Sequence, residues 1–285
     1  MLRRSPAMHR GVQYSLLALT AALLLAPACS RDPSPGTPAA TAEGDRLMRQ
    51  MSDTLARAST FRFETTESLD RIGASAGGRV LRFTRVVTVH RPDAMFFEVD
   101  GSADTALDVS AYYDGQTLSL SDNAQGTWAQ TTVPGTLDEM LDDVARRYSL
   151  PVPIADVIYS VPFDAFIGRN TKGGFVGRET IDGVSCAHLS YGDEFVDVQV
   201  WLPSTGQPLP RRVNLVYKKV PGAPSARIDF TRWDLDPKIA DGTFTFKPGE
   251  ATTPIAFEQF VARLLSAGNP TNLVAPSPPG VTRPR

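Results

Sequence analysis

The residues able to do chemistry are few, and their spacing decides how far each reading goes. Gly73-Ala74-Ser75-Ala76-Gly77 carries the G-x-S-x-G pattern, which exposes a serine hydroxyl for acyl transfer when a strand enters it and a helix leaves it. The segment leaving it, RVLRFTRVV, alternates as a strand does, so a glycine-rich hairpin loop is expected, with an esterase built on Ser75 as the alternative. Cys186 and His188 lie two apart, which on a strand places both on one face. A zinc site needs at least a third ligand, and no second cluster accompanies the pair. Cys186 then reads as a small buried hydrophobe. Asp193, Glu194 and Asp197 read as a hairpin tip and a solvated face, and His90 as a strand end ahead of Arg91-Pro92. No phosphate loop or dinucleotide fingerprint occurs. The sequence thus predicts no catalytic residue, no cofactor and no metal, hence no enzyme.

What the elements must position instead is apolar surface. From Phe195 to Trp233 the chain reads FVDVQVWL, RRVNLVYKKV and ARIDFTRW, separated by PSTGQPLP and PGAPS. In the first run Val196, Val198, Val200 and Leu202 share one face and Asp197, Gln199 and Trp201 the other, the period of a half-buried strand. The turns are too short for a crossover helix, so these runs should pair antiparallel. The same alternation runs through FRFETTESL, RVLRFTRVVTVH, AMFFEVD, AYYDGQTLSLSD and TWAQTTV, and Thr243 to Lys247 reads as a last strand. Asp-Gly pairs at 100–101, 114–115, 182–183 and 241–242 stand where tight turns need positive φ.

Helical patterns appear in four places. After Glu43, Leu47, Met51 and Leu55 recur at i, i+4 and i+8, with Met48 and Ala58 widening the stripe, so an amphipathic helix should cover the sheet. Thr136 and Glu139 make a capping box ahead of the stripe Leu137, Met140, Leu141, Val144 and Tyr148. Beyond Pro151 and Pro153, IADVIYS and FDAFIG add an apolar cluster in mid-sheet: Ile154, Val157, Ile158, Phe163, Phe166 and Ile167. That insert reads either as a core plug or as a lid over an apolar cavity. Residues 254–267 form a terminal amphipathic helix ahead of a Pro-rich tail, 268–285, expected to be disordered.

The 285 residues, 42% of them apolar, suffice for a real core. Residues 1–28 read as a signal peptide, with Arg3, Arg4 and Arg10 ahead of the apolar run YSLLALTAALLLA, too short for a membrane span. Beyond it 31 acidic face 26 basic residues, a formal charge of −5 that lacks the basic footprint of a nucleic-acid binder. Leu25-Ala26-Pro27-Ala28-Cys29 resembles a lipobox with Cys29 acylated, yet Ala26-Pro27-Ala28 also fits ordinary cleavage, which would release a soluble periplasmic protein. A Pro-, Ser- and Thr-rich stretch follows, so 29–42 is read as a flexible tether. With Cys186 as the other cysteine, a stabilising disulfide to the leader is not expected.

Arg91-Pro92-Asp93-Ala94-Met95-Phe96-Phe97-Glu98 and, one hairpin on, Tyr113-Asp114-Gly115-Gln116-Thr117-Leu118 resemble segments of the LolA/LolB/LppX lipoprotein-carrier superfamily. From about Leu47 to Pro248, through YYDG, LPVPIADVIYS, VGRETIDGVSCAHL, DVQVWL, PLPRRV and FTFKP, the chain is similar to a bacterial periplasmic domain-of-unknown-function family grouped with those carriers. The resemblance implies a mainly β (α+β) fold spanning 43–267: a strongly curved antiparallel sheet forming an incomplete barrel, its concave face covered by helices and holding acyl chains. It also implies that Arg91 helps hold the lid; a plain salt bridge at a strand end is the other reading. The expected cavity then has Leu141, Ile154, Ile158, Phe163 and Phe166 on the lid side and Val198, Val200, Leu215, Ile228 and Phe230 on the sheet side. The expected partners are lipid or lipoprotein acyl chains and the outer membrane, reached through acylated Cys29; no nucleic acid is expected. An envelope sensor holding a protein partner on the same fold is the alternative role.

Overall fold

The computed structural model describes residues 32–70, 80–101, 107–149, 154–167, 171–220 and 222–266. The chain divides into two compact units, Met1–Asp32 and Pro33–Arg285, and the elements below all belong to the second. The expected signal peptide, Cys29, the G-x-S-x-G segment and the tail 268–285 lie outside the described residues.

Strand alternation and short turns build two antiparallel meanders. The first comprises β1 (Thr60–Asp70), β2 (Val80–His90), β3 (Ala94–Gly101), β4 (Asp108–Tyr113), β5 (Thr117–Asp122) and β6 (Thr127–Thr132). The second comprises β7 (Lys172–Ile181), β8 (Val184–Gly192), β9 (Val196–Pro203), β10 (Arg212–Tyr217) and β11 (Ser225–Asp234). They fuse where β1 pairs antiparallel with β11. The two-residue β12 (Thr253–Pro254) adds a parallel edge to β6, giving one sheet of 12 strands in the order β12-β6-β5-β4-β3-β2-β1-β11-β10-β9-β8-β7. Its two ends are not paired with one another, so the fold is mainly β and the barrel stays open. At the β7–β8 hairpin Asp182 and Gly183 have φ of 48° and 78°, the primed-turn geometry that suits strand twist.

The helices cover one face of this sheet, called the inner face below. Thr37 caps α1 (Pro38–Arg57), accepting from Ala40 N at 3.2 Å, and Met48, Met51 and Leu55 of its predicted stripe are fully buried. The helix crosses β7 at very close range: a Cβ on Gly44 would lie 2.6 Å from both Gly174 Cα and the Tyr191 hydroxyl oxygen. Between the meanders lie α2 (Leu137–Tyr148), α3 (Ala155–Ile158) and α4 (Pro162–Phe166); the Thr136–Glu139 capping box is formed in full. The last helix, α5 (Phe257–Ser266), buries Phe257, Phe260, Val261 and Leu264 against the same core and sets Phe257 4.7 Å from the Tyr148 ring. Among the described residues no helix is long and apolar enough to cross a membrane.

Three expectations about elements change. The helix α1 starts at Pro38, so residues 38–42 of the predicted tether are helical. Thr243 to Lys247 is not a strand: Thr243 N and Thr245 N bond the Ala240 and Gly242 carbonyls in local turns. Phe244 and Phe246 alternate because both anchor this segment to the outer face, Phe246 lying 5.4 Å from Tyr112 and from Trp128 and Phe244 6.2 Å from His90. Gly101 is not a turn glycine but the last residue of β3, pairing with Phe83.

Candidate functional site

The inner face of β1 and β2 shows how the strands set out the site. Phe61, Phe63, Thr65, Glu67 and Leu69 point inward from β1, and Leu81, Phe83, Arg85, Val87 and Val89 from β2, all buried. On the other side of β1, β11 contributes Ile228 opposite Glu67 and Phe230 opposite Thr65, and β9 and β10 extend the rows with Val200 opposite Val213 and Val198 opposite Leu215.

The apolar residues expected to form the site come together. Leu141 of α2, Ile154 at the start of α3, Ile158 of α3, and Phe163 and Phe166 of α4 share one buried cluster with Val198, Val200, Ile228 and Phe230, and half-buried Leu215 packs against it. Their distance along the chain is bridged by the insert, which folds back over the sheet between the two meanders.

Among the described residues, polar contacts fasten this cover. Arg91 sends Nη2 to the Tyr159 carbonyl at the end of α3, 2.9 Å away, and lies 5.4 Å from the centre of the Phe61 ring. Burial draws the Arg91 guanidinium below its ordinary pKa, and the Asp138 charge opposes that shift. Asp138 in α2 accepts from Ser160 N at 2.8 Å and Ser160 Oγ at 2.6 Å, and the Tyr159 hydroxyl donates to Asp142 at 2.8 Å. From α1, Ser52 Oγ accepts from Phe163 N at 3.0 Å, and Arg49 stacks 3.9 Å above the Phe163 ring. Each such contact contributes about 1 kcal/mol net, so the cover is held mainly by its apolar face.

One feature of this face was missed from the sequence: a buried polar layer. Arg85 Nε lies 3.0 Å from Glu67 Oε1, its Nη2 donates to Glu67 Oε2 at 3.2 Å, and the two side chains are 4% and 5% exposed. Thr65 Oγ1 donates to Glu67 Oε1 at 2.7 Å. The layer separates the main cluster from a second one, made of Leu69, Leu81, Phe83, Val99 and Tyr217. The available signal was parity, since Glu67 is an even number of positions from Phe61 and Phe63 and Arg85 from Val87 and Val89.

The other candidates resolve into structural roles. Cys186 and His188 do share the outer face: Cys186 is fully buried with Ile181 and Trp201, and burial pushes its thiol pKa up, disfavouring the thiolate. The His188 ring stacks on Trp201 at 4.3 Å, with Nδ1 2.9 Å from Glu179 Oε1 and Nε2 3.2 Å from Gln199 Oε1. Asp193 accepts from Phe195 N and Val196 N at the hairpin tip, and Asp197 pairs with Lys218 at 2.8 Å. Among the described residues no group of three or more His, Cys, Asp or Glu is placed to hold a metal ion. A cleft of about 570 Å³ between α1 and the β8–β9 end of the sheet is lined by Glu43, Arg46, Arg57, Arg178 and Pro208, with Leu202 at its floor.

A family model described as a predicted periplasmic protein, DUF2092, matches residues 44–258. None of the curated proteins matches the chain. Among solved structures, a LolA superfamily protein of Nitrosomonas europaea is 10% identical, with 72% of this chain and 98% of that one covered and a TM-score of 0.36. The Mycobacterium tuberculosis lipoprotein LppX is 10% identical over 69% of this chain and 97% of that one, TM-score 0.39. The Pseudomonas aeruginosa MucA/MucB complex matches at 14% identity over 72% of this chain and 61% of that one, TM-score 0.39.

Proposed function

The chain belongs to the family of predicted periplasmic proteins DUF2092, and we propose that it is a lipid-anchored envelope protein that holds a lipid or acyl chain between its inner sheet face and the α2–α4 cover. It acts as a carrier or acceptor of lipid or lipoprotein, with Cys29 as the acylated residue at the outer membrane. The supporting observation is the apolar cluster shared by the insert and the sheet, with the insert fastened by hydrogen bonds that include Arg91 to the Tyr159 carbonyl, Ser160 to Asp138 and Phe163 N to Ser52.

Magnitudes favour exchange over a permanent plug. Lifting Ile154, Val157, Ile158, Phe163 and Phe166 off the sheet forfeits about 2 kcal/mol for each side chain, about 10 kcal/mol in total. A sixteen-carbon chain taking their place recovers about 0.8 kcal/mol per methylene, about 11 kcal/mol. The two states are close enough in free energy for a ligand to decide between them. Binding of this kind needs no reactive side chain.

Native mass spectrometry of the full chain after gentle extraction tests the role. Adducts with lipid masses are expected. A protein that is empty in every preparation, and that crosslinks in cells to one specific envelope protein, would favour the sensor role instead.

A further inference from the structure

Glu43, Arg46, Gln50, Asp53 and Arg57 recur at three- and four-residue steps along α1, so they share one flank over about 21 Å of helix. Arg49 and Ser52 turn to α4 on the other side of the buried stripe. The charged flank faces Ala187 of β8 and Leu202 of β9 across the cleft of about 570 Å³. That volume lies in the range of small-molecule sites, about 300–1,000 Å³.

The floor of this cleft is the apolar cluster itself. Ala187 and Leu202 line the cleft and also belong to the main cluster. Leu202 stands on the inner row of β9, two positions from Val200 and four from Val198, all three buried. These valines form the sheet wall assigned to the acyl chain, so a chain entering at Leu202 follows their row for about 13 Å. The rim, by contrast, is charged. Arg46 binds both carboxylate oxygens of Glu43, at 2.8 and 2.7 Å, so those two charges cancel. Arg57 and Arg178 then face Asp53 alone, leaving one positive charge in excess on a chain that carries −5 beyond its leader. Arg178 Nη1 donates to Ser204 Oγ at 2.8 Å, which orients its guanidinium on the sheet side of the cleft.

We propose that this cleft is the mouth of the acyl site and holds the head group of an amphiphile with one negative charge, a carboxylate or a phosphate diester, between Arg57 and Arg178 while its chain runs inward over Leu202. This deepens the acyl-holding role and rests on it. A mouth that passes hydrocarbon alone needs no cationic excess. An exposed charge pair is worth only a few-fold in affinity and is screened by salt. The chain therefore supplies the affinity, and the rim selects the head group.

The test is displacement of the neutral probe N-phenyl-1-naphthylamine from the full chain at pH 8 and low salt. The competitors share one palmitoyl chain: palmitate as the free fatty acid source, palmitoyl lysophosphatidylglycerol as the phospholipid source, and uncharged monopalmitoylglycerol. At least one anion should displace the probe about threefold or more better than the uncharged ligand, and which anion leads identifies the source. Arg57→Glu should bring that ratio down to about one, and 0.5 M salt should shrink it in the parent. Thr54→Trp, which fills the cleft from α1, should weaken all three ligands, whereas Ala56→Trp, exposed on the same turn outside the cleft, should not. A ratio of one in the parent, a ratio that survives Arg57→Glu, or binding indifferent to Thr54→Trp overturns the mouth and leaves acyl binding standing. Failure of the probe and of all three ligands to bind overturns both.

Discussion

Tyr113 shows how a single side chain ties the sheet to its cover. Its hydroxyl donates toward the Val133 and Gly135 carbonyls, at 2.8 and 2.7 Å, just ahead of the α2 cap. Burial, reinforced by the charges of Asp93, Asp114 and Glu139, pushes its pKa up to about 12 from the ordinary 10.0. The folded protein therefore holds this proton more tightly than the unfolded chain. The stabilisation is fully present below pH 10 and is lost as the pH rises from about 10 to about 12. Denaturant midpoints measured from pH 9 to pH 12 should fall over that window, and Tyr113→Phe should flatten part of the fall. At this scale the sequence was legible where parity was followed through: the residues of the insert and of β9–β11 reach one cluster. Parity followed further would put Glu67 and Arg85 inward too, but a charge on an apolar face contradicts the simple pattern, and the pairing register is what brings its partner across from the next strand.

At the scale of elements, α1 and the segment after β11 show opposite limits of a periodic pattern. The stripe of α1 was visible, but not the closeness of its approach to β7, because Gly44 is by itself a poor helix residue. Gly44→Ala recovers about 1 kcal/mol of helix propensity but drives a methyl into the Gly174 backbone, which cannot swing aside as a flexible side chain can. Overpacking costs about 1–3 kcal/mol, and a methyl 2.6 Å from backbone Cα belongs to the upper part of that range, about 2–3 kcal/mol, so urea unfolding should show a net loss of about 1–2 kcal/mol. A variant as stable as the parent would mean that α1 does not sit against β7 at this distance. Residues 243–247 carried a true alternation and still form no strand. Phe244 and Phe246 need only face the sheet to alternate, and a ladder also needs backbone groups that the local turns have already used.

For the molecule as a whole, the two meanders give a sheet long enough to curve around a core, and the insert between them supplies the cover. Consecutive strands with short turns made the meanders readable in sequence. The β1–β11 junction that fuses them was not readable, since it pairs residues far apart in the chain and leaves no local trace. The same holds for the parallel contact of β12 with β6, two residues long. Identity as a periplasmic family member rests on the match across residues 44–258; the proposed acyl-holding role is argued from the shared cluster of insert and sheet.

That role is tested most directly by titrating the delipidated full chain with a fluorescent fatty acid and following energy transfer from Trp233, whose ring lies 5.0 Å from both Phe63 and Phe230. The account predicts saturable binding of one acyl chain per protein, abolished when Val200→Asp and Phe163→Asp place charges on the two walls. Absence of saturable binding, or binding indifferent to both substitutions, would contradict it.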